Sequence, residues 1–335
     1  MTNLSTQELA AFLQGFRSDR KILLATHVRP DGDALGSLCG LLLILLENGF
    51  DAAALLPGSV PDYYRPLLPE KGLITAEPSA EELQIYALMI VLDSATRDRV
   101  SADFFKKPGP LPQSIGIDHH PDNSGYCDLN HLVPAASATA EILYALADAA
   151  RWKIGGEAAT HLLIGILTDT GAFRFTNTSA RTLRAAAALM DAGGDYTRIM
   201  NTCFFSKSEN MALFEAELLC TGMKKACGGK FMYAYFTPEL LAKYKIELRN
   251  TEQVIEILRS ISGPVIVGVI RLENGGFKCS LRSKEKHYSV GRIARSLGGG
   301  GHEMASGCTI TASSVEEAEA ILVNHVEMEL NEKQA

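Results

Sequence analysis

The chain has 335 residues, 47% hydrophobic and 21% charged, with a formal net charge of −7. This is the composition of a soluble globular protein long enough for two domains, and its acidity excludes a general electrostatic pull toward long nucleic acid. The longest apolar run, residues 41–46 extended by Leu38 and Cys39, falls far short of the roughly 20 residues of a membrane span, and the seven scattered cysteines form no C-x-x-C pair, so no membrane partner and a reducing cytoplasm are expected.

Residues 1–17 hold no signal-peptide core. Ser5, three residues before Glu8, predicts a capping box opening the first helix. Residues 21–26 (KILLAT) read as a buried strand, and residues 34–48 as an apolar helix closed by Gly49. Short apolar runs at 52–56, 87–92 and 114–117 predict further strands. Helical stretches follow at 137–150, 157–167 and 179–192. Strands alternating with helices imply an α/β fold with a largely parallel sheet covered on both faces. Residues 193–211 read as a linker. After it, 231–236, 265–272 and 277–281 read as strands, with Asn274-Gly275-Gly276 as a hairpin turn. Residues 290–297 and 315–330 read as helices. The expected organisation is a catalytic domain over 1–192 and a second, smaller α/β domain over 212–335.

The densest chemical signal is His27-Val-Arg-Pro-Asp31-Gly-Asp33, placed between the first of these strands and an apolar helix. A polar loop with a helix cap at Asp33 would explain it locally. The same position recurs, however. Asp93 follows the strand at 87–92, Asp118-His119-His120 follows the strand at 114–117, and Asp169 ends the helix at 157–167. An open α/β sheet gathers ligands beyond the carboxyl ends of its strands. Oxygen and imidazole donors without thiolates suit Mn²⁺, Mg²⁺ or Fe²⁺. So many donors exceed the needs of one ion with an open position. Two divalent ions about 3.5–4 Å apart, activating a bridging hydroxide, would use them all.

These four motifs, spanning about 27–175, resemble those of the DHH phosphoesterases. The resemblance implies that His27, Asp31 and Asp93 hold one ion, with Mn²⁺ ahead of Mg²⁺ or Fe²⁺. Asp33, Asp93, His119 and Asp169 would hold the second, Asp93 bridging. Asp118 would orient a histidine, and His120 would face the substrate phosphate as hydrogen-bond donor or general acid.

Ser280-Leu281-Arg282-Ser283 and the run Gly298-Gly299-Gly300-Gly301-His302 form a second signal. Glycines let a backbone approach an anion and present N–H groups to it. An arginine adds a phosphate fork. A Schellman-type helix end running into a turn is the bland alternative. The segment resembles the DHH-associated C-terminal domain, and the pair resembles the oligoribonuclease/pAp phosphatase (NrnA-like) branch. That resemblance implies substrate contacts from Arg282, Ser283, Gly299, Gly300, Gly301 and His302. The implied reaction is metal-dependent 3′-5′ hydrolysis of short RNA or DNA oligonucleotides, together with mononucleotide bisphosphates such as pAp. A cyclic-dinucleotide phosphodiesterase is the alternative within the family, and a non-enzymatic nucleotide or metal sensor is the alternative of another class. A homodimer is left open. Outside the motifs, His161 on an apolar helix reads as packed and His325 as solvated. Tyr63-Tyr64-Arg65 and Phe173-Arg174-Phe175 could reach a base or pack locally.

Overall fold

A computed structural model describes residues 2–16, 20–56, 58, 60–100, 104–107, 109–251, 254–273 and 275–332. Contacts divide the chain into two compact units, Met1–Ser206 and Lys207–Ala335. Among the described residues no helix is long and apolar enough to cross a membrane.

The first unit runs β1 (Thr2–Asn3), α1 (Thr6–Gly15), β2 (Lys21–Ala25), α2 (Gly32–Glu47), β3 (Ala52–Leu55), β4 (Leu73–Ile74), β5 (Tyr86–Leu92), α3 (Arg97–Val100), β6 (Gln113–Asp118), β7 (Leu129–Leu132), α4 (Thr139–Ala149), α5 (Gly156–Asp169), α6 (Ala180–Asp191) and α7 (Tyr196–Ile199). The predicted capping box is present: Ser5 accepts from the Glu8 N–H, and the Glu8 carboxylate accepts from the Ser5 N–H at 2.8 Å. Seven parallel strands lie in the order β1-β7-β6-β5-β2-β3-β4. From β2 the chain winds outward through β3 and β4, then returns to β2's other side and winds outward through β5, β6 and β7. The strand order therefore reverses between β2 and β5, where α/β sheets leave a crevice at their carboxyl ends.

The period-two alternation of the strands sorts their side chains onto two faces. Ile22, Leu24, Leu88, Ile90, Leu92, Ile115 and Ile117 pack with α1, α2, α4 and α5. Leu23, Ala25, Met89 and Val91 pack with Leu83, Val100 and Cys127. Both faces are covered, as the alternation predicted, the second mainly by connecting segments and the short α3. Residues 193–206, expected as linker, belong to the first unit. Its π-helical turn Met200–Phe204 places Cys203 in the core beside Ile199.

Glycine has a definite task where α2 crosses α5. A Cβ on Gly36 would stand 2.5 Å from the His161 carbonyl oxygen, and one on Gly165 would stand 2.5 Å from Asp33 Oδ1. The two backbones approach closely only because neither residue has a side chain. The crossing brings the first turn of α2, with Asp33, to the last turn of α5, with Asp169.

The second unit runs α8 (Glu209–Thr221), β8 (Met223–Ala226), β9 (Phe231–Phe236), α9 (Pro238–Tyr244), α10 (Val254–Ser260), β10 (Ile266–Glu273), β11 (Gly276–Ser283), α11 (Val290–Ser296), β12 (Gly300–His302), β13 (Ala305–Ile310) and α12 (Val315–Glu332). Its mixed six-stranded sheet has the order β12-β13-β11-β10-β9-β8, with β9 and β10 parallel and the other pairs antiparallel. One face packs on α11 and α12, the other on α8 and α10. In the predicted hairpin, Glu273 pairs with Gly276, and Gly275 takes a φ of 77°; Asn274 lies outside the described residues.

Candidate metal centre

The carboxyl ends of β2, β5 and β6, adjacent in the sheet, deliver His27, Asp93 and the Asp118-His119-His120 triplet to one place. The crossing of α2 and α5 adds Asp31, Asp33 and Asp169. Donor atoms of His27, Asp31 and Asp93 lie within 4.8 Å of one another, as do those of Asp33, His119 and Asp169. All eight N-terminal site residues read from the sequence are therefore gathered at this end of the sheet.

The two groups meet at Asp93. Its Oδ2 stands 3.8 Å from His27 Nε2, and its Oδ1 stands 3.6 Å from His119 Nε2. Asp93 is a non-glycine residue at φ 54°, a sparsely populated conformation that concentrates at functional sites. It is buried, and its N–H is held by the Ile117 carbonyl at 3.1 Å.

Each imidazole is aimed by its second nitrogen. His27 Nδ1 donates to the Val28 carbonyl at 2.9 Å, and His119 Nδ1 donates to the Ala136 carbonyl at 3.4 Å. In both rings Nε2 then carries the lone pair and faces the carboxylates, as in metal-binding histidines. His119 Nε2 is 3.6 Å from Asp93 Oδ1, 3.6 Å from Asp169 Oδ2 and 3.8 Å from Asp33 Oδ2. These separations exceed hydrogen-bond range. Donors about 2.1 Å from one small ion stand about 3 Å apart at right angles and farther apart at wider angles, so these donors could share a cation.

The charge balance fits as well. Burial first, then the neighbouring Asp93 carboxylate, drives the Asp33 carboxyl well above the usual carboxylate range. Burial likewise raises Asp93, against the pull of His120. Asp31, Asp33, Asp93 and Asp169 together would carry four negative charges, which two divalent cations would balance. Oxygen and imidazole donors suit Mn²⁺, Mg²⁺ or Fe²⁺.

Asp31, not Asp33, caps α2: its Oδ1 accepts from the N–H groups of Asp33 and Ala34 at 3.1 and 3.0 Å. Asp33 is turned instead toward α4. That helix has no side-chain cap of its own, since Ala138 occupies the cap position. Asp33 Oδ2 accepts from the Thr139 N–H at 2.6 Å, and Oδ1 accepts from the Ala140 N–H at 3.1 Å and the Ser37 hydroxyl at 3.2 Å. A carboxylate thus meets a positive helix end. The Thr139 hydroxyl in turn donates to Asp93 Oδ1 at 2.9 Å. Thr139 was not singled out in the sequence: a threonine opening a helix carries no signal that it joins two distant carboxylates.

Asp118 orients His120. Its Oδ1 accepts from His120 Nδ1 at 2.7 Å, and its Oδ2 accepts from Asn123 Nδ2 at 2.7 Å. Burial alone would lower the His120 pKa, but the Asp118 hydrogen bond and the Asp93 charge outweigh it and push it up to about 10.

In the second unit Arg282 sits on β11, with Nε donating to Glu256 Oε1 at 3.2 Å and Nη1 to its neighbouring Leu281 carbonyl at 3.0 Å. Ser283 is buried, and its hydroxyl is committed to the Glu285 carbonyl at 2.8 Å. The glycine run is not an open loop. Gly299 N–H returns to the Ala294 carbonyl at 2.8 Å and Gly298 N–H to the Arg295 carbonyl at 3.0 Å. This is the Schellman pattern, and it uses the amides of both glycines. Gly300–His302 then pairs with β13 as an edge strand. Gly301, at φ 123°, leaves no room for a Cβ, which would stand 2.8 Å from the Ala305 carbonyl oxygen. His302 lies opposite Ala305 at the end of this hairpin.

The remaining residues are engaged locally. Tyr64 is fully buried and its hydroxyl is hydrogen-bonded to His161 Nδ1 at 2.8 Å, so neither can stack on a base. Arg65 pairs with Asp62 at 3.1 Å, and Arg174 Nε donates to the Gly171 carbonyl at 2.6 Å. His325 Nδ1 lies 3.0 Å from the Ser296 hydroxyl.

Residues 21–166 match the DHH family, N-terminal domain, and residues 219–330 match the DHHA1 domain. The chain is 32% identical over 312 residues to the bifunctional oligoribonuclease and PAP phosphatase NrnA of Thermus thermophilus, covering 92% of this chain and 90% of that one. The chain belongs to the DHH family of phosphoesterases. This DHH protein is also 30% identical over 329 residues to the NrnA of Bacillus subtilis, covering 90% of this chain and 93% of that one. Its fold is that of an exopolyphosphatase-related protein from Bacteroides fragilis, with a TM-score of 0.85 and 24% identity across 97% of both chains. The DHH and DHHA1 matches fall on the first and second units respectively.

Proposed function

We propose that this DHH phosphoesterase hydrolyses short oligonucleotides, and mononucleotide bisphosphates such as pAp, with two divalent cations. The convergence of His27, Asp31 and Asp93 beside Asp33, His119 and Asp169, with Asp93 facing both groups, carries this reading. The names of the two NrnA relatives support the substrate class. His27, Asp31 and Asp93 would hold one cation; Asp33, Asp93, His119 and Asp169 would hold the other. Bound there, the cations would activate water and neutralise charge on the phosphoryl oxygens.

The protein's own part is positioning. Thr139 and the first turn of α4 fix Asp33 and Asp93, so the donors need little rearrangement on binding. Asp118 holds His120 by Nδ1, which turns Nε2 into the atom that donates to a phosphate oxygen or protonates the leaving oxygen. Arg282, through its guanidinium, and His302 are proposed to contact a second phosphate or the nucleoside. The amides of Gly300 and Gly301 remain proposed substrate contacts, whereas those of Gly298 and Gly299 serve the helix end.

A turnover panel of pAp, a diribonucleotide, c-di-AMP and a 24-mer, run with Mn²⁺ and with chelator, tests the reading. Mn²⁺-dependent cleavage of the diribonucleotide and pAp is expected, well above that of the other two. Preference for c-di-AMP would replace the substrate assignment. Absence of metal-dependent hydrolysis on every substrate would remove the catalytic reading.

A further inference from the structure

A cavity lies in the first unit, against the segment whose Ala136 carbonyl aims His119. Its volume is about 180 Å³, and its walls come from α1, β7, α4 and α6. Val133, Ala136, Ile142, Ala145 and Ala185 give it an apolar lining. His131 and Glu141 in its wall are already committed to partners. His131 Nδ1 donates to the Leu4 carbonyl at 2.8 Å, so Nε2 accepts from the Thr6 hydroxyl at 3.3 Å. Burial holds that imidazole's pKa down, opposed by the Leu4 bond. Glu141 is buried against Arg181, and it also accepts from the hydroxyls of Ser137 and Thr182 at 2.6 and 2.8 Å. Arg184, exposed at the cavity, has no ion-pair partner among the described residues.

We infer that this cavity is an effector site for a small apolar or aromatic monocarboxylate. An apolar cavity of about 150 Å³ can take up benzene, so the volume of this partly open cavity suits a single ring or a short branched chain. With Glu141 neutralised by Arg181, Arg184 supplies the unmatched positive charge that would select a carboxylate over a neutral isostere.

Occupancy would reach the metal centre through the wall itself. Ala136, which lines the cavity, is also the residue whose carbonyl accepts from His119 Nδ1. Three residues on, Thr139 holds Asp33 and Asp93. A ligand packed against Ala136 and the first turns of α4 bears on both supports, so it should alter metal affinity, and metal should alter ligand affinity equally. This coupling rests on the assignment of the His–Asp cluster as a metal centre.

Benzoate is the probe, with benzamide as its neutral counterpart. Binding to the full chain is measured by saturation-transfer NMR and calorimetry, and Mn²⁺ affinity is measured with and without saturating benzoate. Saturable 1:1 binding of benzoate is expected, weakened at least tenfold in Arg184→Glu while benzamide binding is unchanged. Ala145→Trp should fill the cavity and remove both ligands, with the circular dichroism spectrum and melting profile retained. Should that variant misfold, Ala145→Leu provides a smaller filling. Benzoate should shift the Mn²⁺ dissociation constant at least twofold. Failure of benzoate to bind, binding indifferent to Arg184→Glu and to cavity filling, or an unmoved Mn²⁺ affinity would each overturn the inference. A protein that binds no Mn²⁺ at all would instead overturn the metal-centre assignment beneath it.

Discussion

The hydroxyl of Thr139 donates to Asp93 Oδ1 across 2.9 Å while the N–H of the same residue donates to Asp33 Oδ2 across 2.6 Å. One residue at the start of α4 thereby fixes two carboxylates that arrive from α2 and from the end of β5. Thr139→Val keeps the shape and the backbone contact but removes the hydroxyl. Partners of metal ligands are typically worth 10–100-fold in affinity or activity, so Mn²⁺ affinity should fall by about tenfold or more with the fold intact. Calorimetric titration checks this; an unchanged affinity would mean that Asp93 needs no such support.

His120 is held by Asp118 at 2.7 Å and is proposed to act on substrate. His120→Ala should lower turnover by roughly 10²–10⁴, the scale of a positioned acid–base group, with both ions retained. Asp118→Asn should cost part of the same factor, and the double variant should be little worse than His120→Ala alone, because the two residues act as one unit. Loss of an ion in His120→Ala, measured by metal analysis, would exchange its role with that of His119.

Arg282 and Glu256 form an ion pair on the second unit. Arg282→Ala should weaken hydrolysis of a diribonucleotide about 10–100-fold, the worth of a charge-assisted phosphate contact, and leave bis-p-nitrophenyl phosphate nearly unaffected. Glu256→Gln, which removes the internal pair, should not reduce diribonucleotide turnover. Equal losses on both substrates for Arg282→Ala would show that this residue supports the fold rather than the substrate.

Stability should fall in mild acid through His161. Burial, with a smaller contribution from Arg198, pushes its pKa down to about 4, whereas the unfolded chain would titrate near 6.5. Between these values the unfolded state binds a proton that the folded state refuses, so stability is full above about pH 6.5 and drains away toward pH 4. Between pH 7 and pH 5 the loss from this residue is about 2 kcal/mol. Urea unfolding of wild type and His161→Gln at the two pH values isolates it: the pH-dependent loss should be smaller in the variant by about that amount. Equal losses would place the acid sensitivity elsewhere.

The site was legible in the sequence to the extent that its residues stand at the ends of regular elements. His27, Asp93 and Asp118 each follow an apolar strand, and a parallel sheet must bring such ends together whatever the details of the loops. Asp169 was legible as the end of an apolar helix. The roles of hydrogen-bond donors were not, because Thr139 and Asn123 act through tertiary placement that leaves no local pattern. Nor was it visible that Asp31 would cap α2 and leave Asp33 for α4, since either aspartate has the chemistry of a cap. Strands were missed where they are short, as in β4 (Leu73–Ile74) and β7 (Leu129–Leu132), or where apolar residues are few. β1 has two residues, β8 reads Met-Lys-Lys-Ala, and β12 and β13 are built largely from glycine, alanine and serine. The glycine run carries two signals at once, because small residues serve tight backbone packing as readily as ligand approach, and Gly299 and Gly301 are pressed against the β13 backbone.

The central claim is that Asp93 is shared by two cations, and metal counting on Asp93→Asn tests it most directly. Wild type, dialysed against Mn²⁺ and freed of loose metal, should retain two ions per chain and cleave a diribonucleotide. Asp93→Asn should bind both ions more weakly, retain fewer than two under the same dialysis, and show no measurable cleavage, while keeping the wild-type circular dichroism spectrum. Two retained ions together with near-normal turnover in Asp93→Asn would contradict the account.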